Sequence, residues 1–86
     1  MESRHVEIVN PTGLHTRPGN LFVKQAKTFA SDIRIVKNDK RVNGKSLLTL
    51  MKAGISLGDK IVIEAEGPDE VAAADAMAHL IASLTE

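Results

Sequence analysis

Apolar and polar positions alternate at period two in three stretches of this chain. In three others the apolar positions recur at three- and four-residue steps. From Arg4 to Val9, Val6 and Ile8 share one side and His5 and Glu7 the other, the pattern of a half-buried strand. Asp32 to Lys37 repeats it with Ile33 and Ile35. Lys60 to Glu66 sets Ile61, Ile63 and Ala65 against Val62, Glu64 and Glu66. A short third strand, Lys40 to Asn43, follows Asn38-Asp39, a pair that tolerates positive φ and suits a tight hairpin. Leu21, Phe22, Gln25, Ala26 and Phe29 give helical spacing and predict a helix from about Arg17 to Phe29. Ser46 stands at an N-cap position ahead of Leu47, Leu48, Leu50 and Met51, and Gly54 is a suitable stop for that short helix. Asp69 is expected to cap a last helix whose stripe is Val71, Ala74, Met77, Ala78, Ile81 and Leu84, with Glu70 adding favourable charge to its first turn. Asn10-Pro11-Thr12-Gly13 and Ser56-Leu57-Gly58-Asp59 read as a turn and a loop.

The predicted order is β-α-β-β-α-β-α. Each strand shows one apolar side, so the helices must cover one face of a mostly antiparallel sheet, an α+β arrangement. A chain of 86 residues is expected to form one domain, 1–86, with an economical core. Phe22 and Phe29 are its only aromatic residues, so aliphatic side chains must fill that core. Eleven basic and eleven acidic residues balance, which speaks against a nucleic-acid footprint. The absence of cysteine removes disulfides, thiolate metal sites and cysteine nucleophiles, and suits a reducing compartment. Met1 to His5 lacks an apolar signal core, and no apolar run approaches the ~18 residues of a membrane span. The expectation is a cytoplasmic protein without membrane insertion.

The chemistry concentrates at Gly13-Leu14-His15-Thr16-Arg17-Pro18. Pro18 is well tolerated in the first turn of a helix, and the Thr16 hydroxyl can cap the same end. A helix start offers outward N–H groups and positive dipole charge, hence a site for an anion. An imidazole there can attack phosphorus as a neutral nucleophile. The Arg17 guanidinium can pair with phosphate oxygens through its planar fork. His5, on the polar side of the first strand, and His79, on the last helix, have no convergent partner and read as structural. The three histidines show no metal-ligand spacing, and no nucleophile elbow accompanies Ser46. With no nucleotide-binding loop, the chain reads as a carrier without autonomous turnover, cofactor or metal. Leu47, Leu48 and Met51 cannot all point inward from so short a helix, so some are expected to form an apolar patch beside His15.

The sequence Gly13-Leu14-His15-Thr16-Arg17-Pro18-Gly19 resembles the phosphorylation site of HPr, the histidine-containing phosphocarrier of the bacterial sugar phosphotransferase system. Val42-Asn43-Gly44-Lys45-Ser46-Leu47-Leu48 resembles the family's regulatory serine segment. Thr16 and Gly19 depart from the more usual alanines. The resemblance implies an open-faced β-sandwich, with four strands in order 1-4-2-3 and three helices on one face. It implies that His15 is phosphorylated, at Nδ1, by Enzyme I and donates to Enzyme IIA domains in sugar uptake, with Arg17 stabilising the phosphate. It implies docking through Thr12, Thr16, Leu47, Leu48 and Met51 by a monomer. Ser46 would be phosphorylated by an HPr kinase/phosphorylase, with a catabolite control transcription regulator as a further partner. Two rival roles fit the same resemblance, a nitrogen-branch phosphocarrier and a mainly regulatory HPr-like module of catabolite repression. Members devoted to the latter role lack the active-site histidine, which His15 supplies here.

Overall fold

A computed structural model describes residues 1–85. Its elements are β1 (Glu2–Glu7), α1 (Thr16–Ala26), β2 (Asp32–Lys37), β3 (Lys40–Asn43), α2 (Leu47–Lys52), β4 (Lys60–Glu66) and α3 (Glu70–Ser83). The four strands form one sheet in the order β1-β4-β2-β3, with every neighbouring pair antiparallel. The α+β class, the element order and the strand order are those expected from the sequence. The register places Ile35 opposite Ile63 and Val6 opposite Ile61. Ile33, Ile35, Ile61, Ile63 and Ala65 turn to the helix-covered face and are buried. Phe22, Leu50, Met77 and Ile81 meet them from the three helices, each fully enclosed. Burying side chains of this size stabilises the fold by about 1.5–3 kcal/mol each. The Asn38-Asp39 hairpin is as predicted, with φ of 51° and 66°.

Several boundaries differ from the sequence pattern, each for a tertiary reason. β1 spans Glu2–Glu7 rather than Arg4 to Val9. Ile8 is buried, but its N–H donates to the Asp59 carbonyl (2.9 Å) and its carbonyl accepts from the Gly58 N–H (2.8 Å), so it joins a loop rather than the ladder. At the other end, Glu2 and Ser3 extend β1 because β4 is long enough to pair with them through Ala65 and Glu64. α1 stops at Ala26, and Thr28 and Phe29 continue as a turn bonded to the Gln25 and Ala26 carbonyls. Leu21, one of the residues whose spacing predicts α1, is exposed, as is Val71 of α3, whereas Ala73 is buried.

Asp69 does not cap α3 with its side chain. Its carboxylate instead accepts the Ala30 and Ser31 N–H groups (2.9 Å each) and the Ser31 hydroxyl. It thereby ties the entry of β2 to the start of α3. Glu64 lies on the opposite side of β4 from Ile61, Ile63 and Ala65, yet it is buried. Arg34 and Arg41 close over it, with Nε atoms 3.4 and 3.1 Å from its Oε1, and these guanidiniums compensate its charge.

Candidate functional site

The turn before α1 is fastened to the loop before β4. The Leu14 N–H donates to the Ile55 carbonyl (3.1 Å), and the Leu14 side chain is buried. Asn10, also buried, donates from Nδ2 to the Gly13 carbonyl (2.7 Å), while the Gly13 N–H returns to the Asn10 carbonyl (3.2 Å). Gly13 has φ of 62°, and a Cβ there would lie 2.3 Å from the Ile55 oxygen, so a side chain is refused on two counts. The receiving loop is itself held. Asp59 Oδ2 accepts the Ser56 N–H (2.7 Å) and pairs with Lys37 Nζ (2.8 Å). The Lys37 ammonium, aided by the Ser56 N–H, keeps the Asp59 carboxyl below its ordinary pKa. His15 therefore follows a backbone that is anchored immediately before it.

His15 is the N-cap residue of α1, with extended backbone (φ −82°, ψ −158°), and its carbonyl accepts the Gly19 N–H at 2.7 Å. This conformation turns the imidazole outward, and the residue is exposed between buried Leu14 and buried Pro18. Thr16 is the first helical residue and not the cap, and the His15 side chain makes no capping hydrogen bond. Its hydroxyl oxygen lies 3.4 Å from His15 Nδ1 instead. Thr12, His15, Thr16, Arg17 and Pro18 line one shallow depression. The sequence motif is thus assembled into a single concave surface at the positive end of a helix dipole. A tetrahedral anion there would meet an imidazole nitrogen, hydroxyl groups, helix-start amides and a guanidinium.

The second motif lies on α2. Ser46 caps it as expected: Oγ accepts the Thr49 N–H (3.3 Å) and the Thr49 hydroxyl (2.9 Å). Leu50 enters the core, Leu47 is half-buried against it, and Leu48 and Met51 are exposed. The exposed apolar side chains of α2 are therefore Leu48 and Met51. Leu47 meets the first turn of α1 at Gly19. A Cβ at Gly19 would lie 3.1 Å from both Leu47 Cδ1 and the Leu14 carbonyl oxygen. The glycine that interrupts the expected alanine lets α2 approach the first turn of α1 closely. His5 and His79 are exposed and stand outside the depression.

A family model described as the PTS HPr component phosphorylation site matches residues 2–83. The chain belongs to the HPr family. It is similar to the phosphocarrier protein HPr of Buchnera aphidicola subsp. Acyrthosiphon pisum, with 45% identity over 86 residues that cover 100% of this chain and 98% of the relative. The Borreliella burgdorferi phosphocarrier protein HPr is 49% identical over 74 residues, 86% of each chain. Among solved structures, HPr-C-His from Thermoanaerobacter tengcongensis superposes with a TM-score of 0.94 at 44% identity, covering 96% of this chain and 93% of that one. The HPr fold expected from the two motifs is therefore the fold observed. Of the supports of the site, Asn10 and the Ile55 carbonyl, only Asn10 has a signature in the sequence. The turn composition of residues 10–13 pointed to Asn10, but nothing local could assign Ile55 as the acceptor for Leu14.

Proposed function

We propose that this HPr-family chain carries a phosphoryl group on Nδ1 of His15, taking it from Enzyme I and passing it to Enzyme IIA domains in sugar uptake. The observation that carries this reading is the outward imidazole at the start of α1, sharing one depression with Thr12, Thr16 and Arg17. In the transfer, the Nδ1 lone pair attacks phosphorus. The new P–N bond forms as the bond between phosphorus and the donor enzyme breaks, and the His15 proton stays on Nε2. Arg17 and the helix-start amides hold the phosphoryl oxygens. Partner active sites supply the rest of the chemistry, consistent with a carrier that has no turnover of its own. The carrier is proposed to act as a single domain and a monomer, in the cytoplasm.

Exposed Leu48 and Met51, half-buried Leu47, and Thr12 and Thr16 of the His15 depression are proposed as the contacts for these partners. Ser46 is proposed as the target of a serine kinase. Its position at a helix cap tolerates a phosphate, which the amides and dipole of α2 would stabilise. The added charge beside Leu48 would weaken docking of Enzyme I and permit recognition by a catabolite control regulator. The test is incubation of the parent and of His15→Ala with Enzyme I and phosphoenolpyruvate. The variant is expected to fold and to take up no phosphate, and equal labelling of the two proteins would refute the assignment.

A further inference from the structure

A second concave surface lies away from His15, between the β2–β3 hairpin and α2. Its lining is Lys37, Asn38, Lys40, Val42, Thr49 and Lys52, with Ala53 at its edge, around a volume of about 410 Å³. None of these residues lines the His15 depression. Two structural elements bound it, so it is a cleft and not a convex patch of solvated lysines. Val42 and Ala53 are half-buried and pack on the core, which gives the cleft an apolar floor.

Three lysines line the cleft with that floor. Lys37 is fixed: its Nζ donates to the Gly54 carbonyl (2.6 Å) and pairs with Asp59 (2.8 Å), which offsets its charge. Among the described residues, Lys40 and Lys52 are in no ion pair. Asp39, at the hairpin tip, is not part of the lining. The cleft therefore carries two uncompensated positive charges in a chain whose formal net charge is zero. Thr49 adds a hydroxyl whose hydrogen is directed to Ser46 Oγ, and Asn38 adds a side-chain amide.

We propose that this cleft is a binding site for a small organic phosphate, a ligand with a compact dianion and a short carbon body. Lys40 and Lys52 hold the dianion, Asn38 and Thr49 hydrogen-bond its oxygens, and the carbon body lies on Val42 and Ala53. A bare anion satisfies the lysines but leaves the apolar floor in water, so the organic ligand binds more tightly than inorganic phosphate. A small molecule is favoured over a phosphorylated protein segment because the hairpin and α2 enclose the cleft from two sides. Occupancy is also sensed at Ser46, because a phosphate oxygen competes with Ser46 Oγ for the Thr49 hydroxyl hydrogen.

The test is a titration of uniformly 15N-labelled protein at constant ionic strength with glycerol 2-phosphate, inorganic phosphate, glycerol and a phosphoserine peptide, followed by amide chemical shifts. Glycerol 2-phosphate is expected to give saturable shifts at Lys40, Val42, Thr49 and Lys52, with a smaller one at Ser46. Inorganic phosphate is expected to bind more weakly and glycerol to do nothing. Lys40→Gln combined with Lys52→Gln is expected to weaken binding by about fivefold or more, as loss of two exposed charge contacts implies. Lys24→Gln combined with Lys27→Gln, on α1 and just beyond it, leaves binding unchanged. The proposal is overturned if shifts stay linear in ligand, if both double variants weaken binding equally, or if only the phosphopeptide binds.

Discussion

Replacing Gly13 by alanine tests whether the fastening of the turn to the 55–59 loop positions the site. At φ of 62° an alanine is in the left-handed region, which costs about 1–2 kcal/mol. Its Cβ would also lie 2.3 Å from the Ile55 oxygen and 2.7 Å from the Ser56 Cα. Both are backbone atoms, so no rotamer change can relieve the contact. The loop must withdraw, and the hydrogen bond from the Leu14 N–H to the Ile55 carbonyl, 3.1 Å in the parent, is lost. Leaving a buried donor unsatisfied costs about 1–3 kcal/mol. Together these predict a loss of about 2–5 kcal/mol, read as a lower urea midpoint with an unchanged m-value. Gly13→Asn relieves the left-handed strain but keeps the Cβ contact, so it should recover only a part of the loss. A Gly13→Ala protein within about 0.5 kcal/mol of the parent would refute the reasoning, since that is the range of an inconsequential surface change.

Four further outcomes follow from the core, the α2 cap and the Asp69 clamp. Leu50→Ala empties a fully enclosed position and should lower stability by about 2–5 kcal/mol in the same denaturation assay. Ser46→Ala removes the oxygen that accepts from Thr49 and should cost about 0.5–2 kcal/mol, yet still accept phosphate on His15. Ser46→Asp keeps a capping oxygen, should stay within about 1 kcal/mol of the parent, and should be phosphorylated more slowly at low Enzyme I concentration. The Ser31 hydroxyl, followed by the Ala30 N–H, holds the Asp69 carboxyl below its ordinary value of 3.8. Its folded pKa is thus depressed, so its stabilisation is complete above that value and is lost as pH falls through the folded pKa. In denaturant titrations, the stability gap between the parent and Asp69→Asn should therefore be constant near neutrality and shrink below about pH 4.

The elements legible in the sequence were those fixed by local rules. Asn38-Asp39 could adopt positive φ, Ser46 could cap, Gly54 could end a helix, and each does so. The period-two patterns of β2 and β4 identified the buried isoleucines because one sheet face is covered by helices. What escaped was decided by partners distant in the chain. Glu64 is polar by any pattern, yet Arg34 and Arg41 make its burial tolerable. Asp69 sits at an N-cap position, but Ser31 and Ala30, far earlier in the chain, claim its carboxylate. Val71 lies at the far edge of its stripe, about 120° round the helix from Met77, and is exposed, whereas Ala73, about 40° from Met77, is buried. At the site, the histidine and arginine were evident from their motif, and the family resemblance extended it to a docking surface. Of the three α2 residues named in that implication, Leu48 and Met51 are exposed and Leu47 is half-buried against Gly19 and the core.

The central claim is that Nδ1 of His15 receives the phosphoryl group. Its most direct test is a long-range 1H–15N spectrum of protein labelled with 15N-histidine, recorded before and after incubation with Enzyme I and phosphoenolpyruvate, with phosphorus coupling observed. The account predicts that the His15 ring alone shifts, that the coupling to phosphorus appears at Nδ1, and that His5 and His79 are unchanged. Coupling at a ring nitrogen of His5 or His79, or at Nε2 of His15, would contradict it.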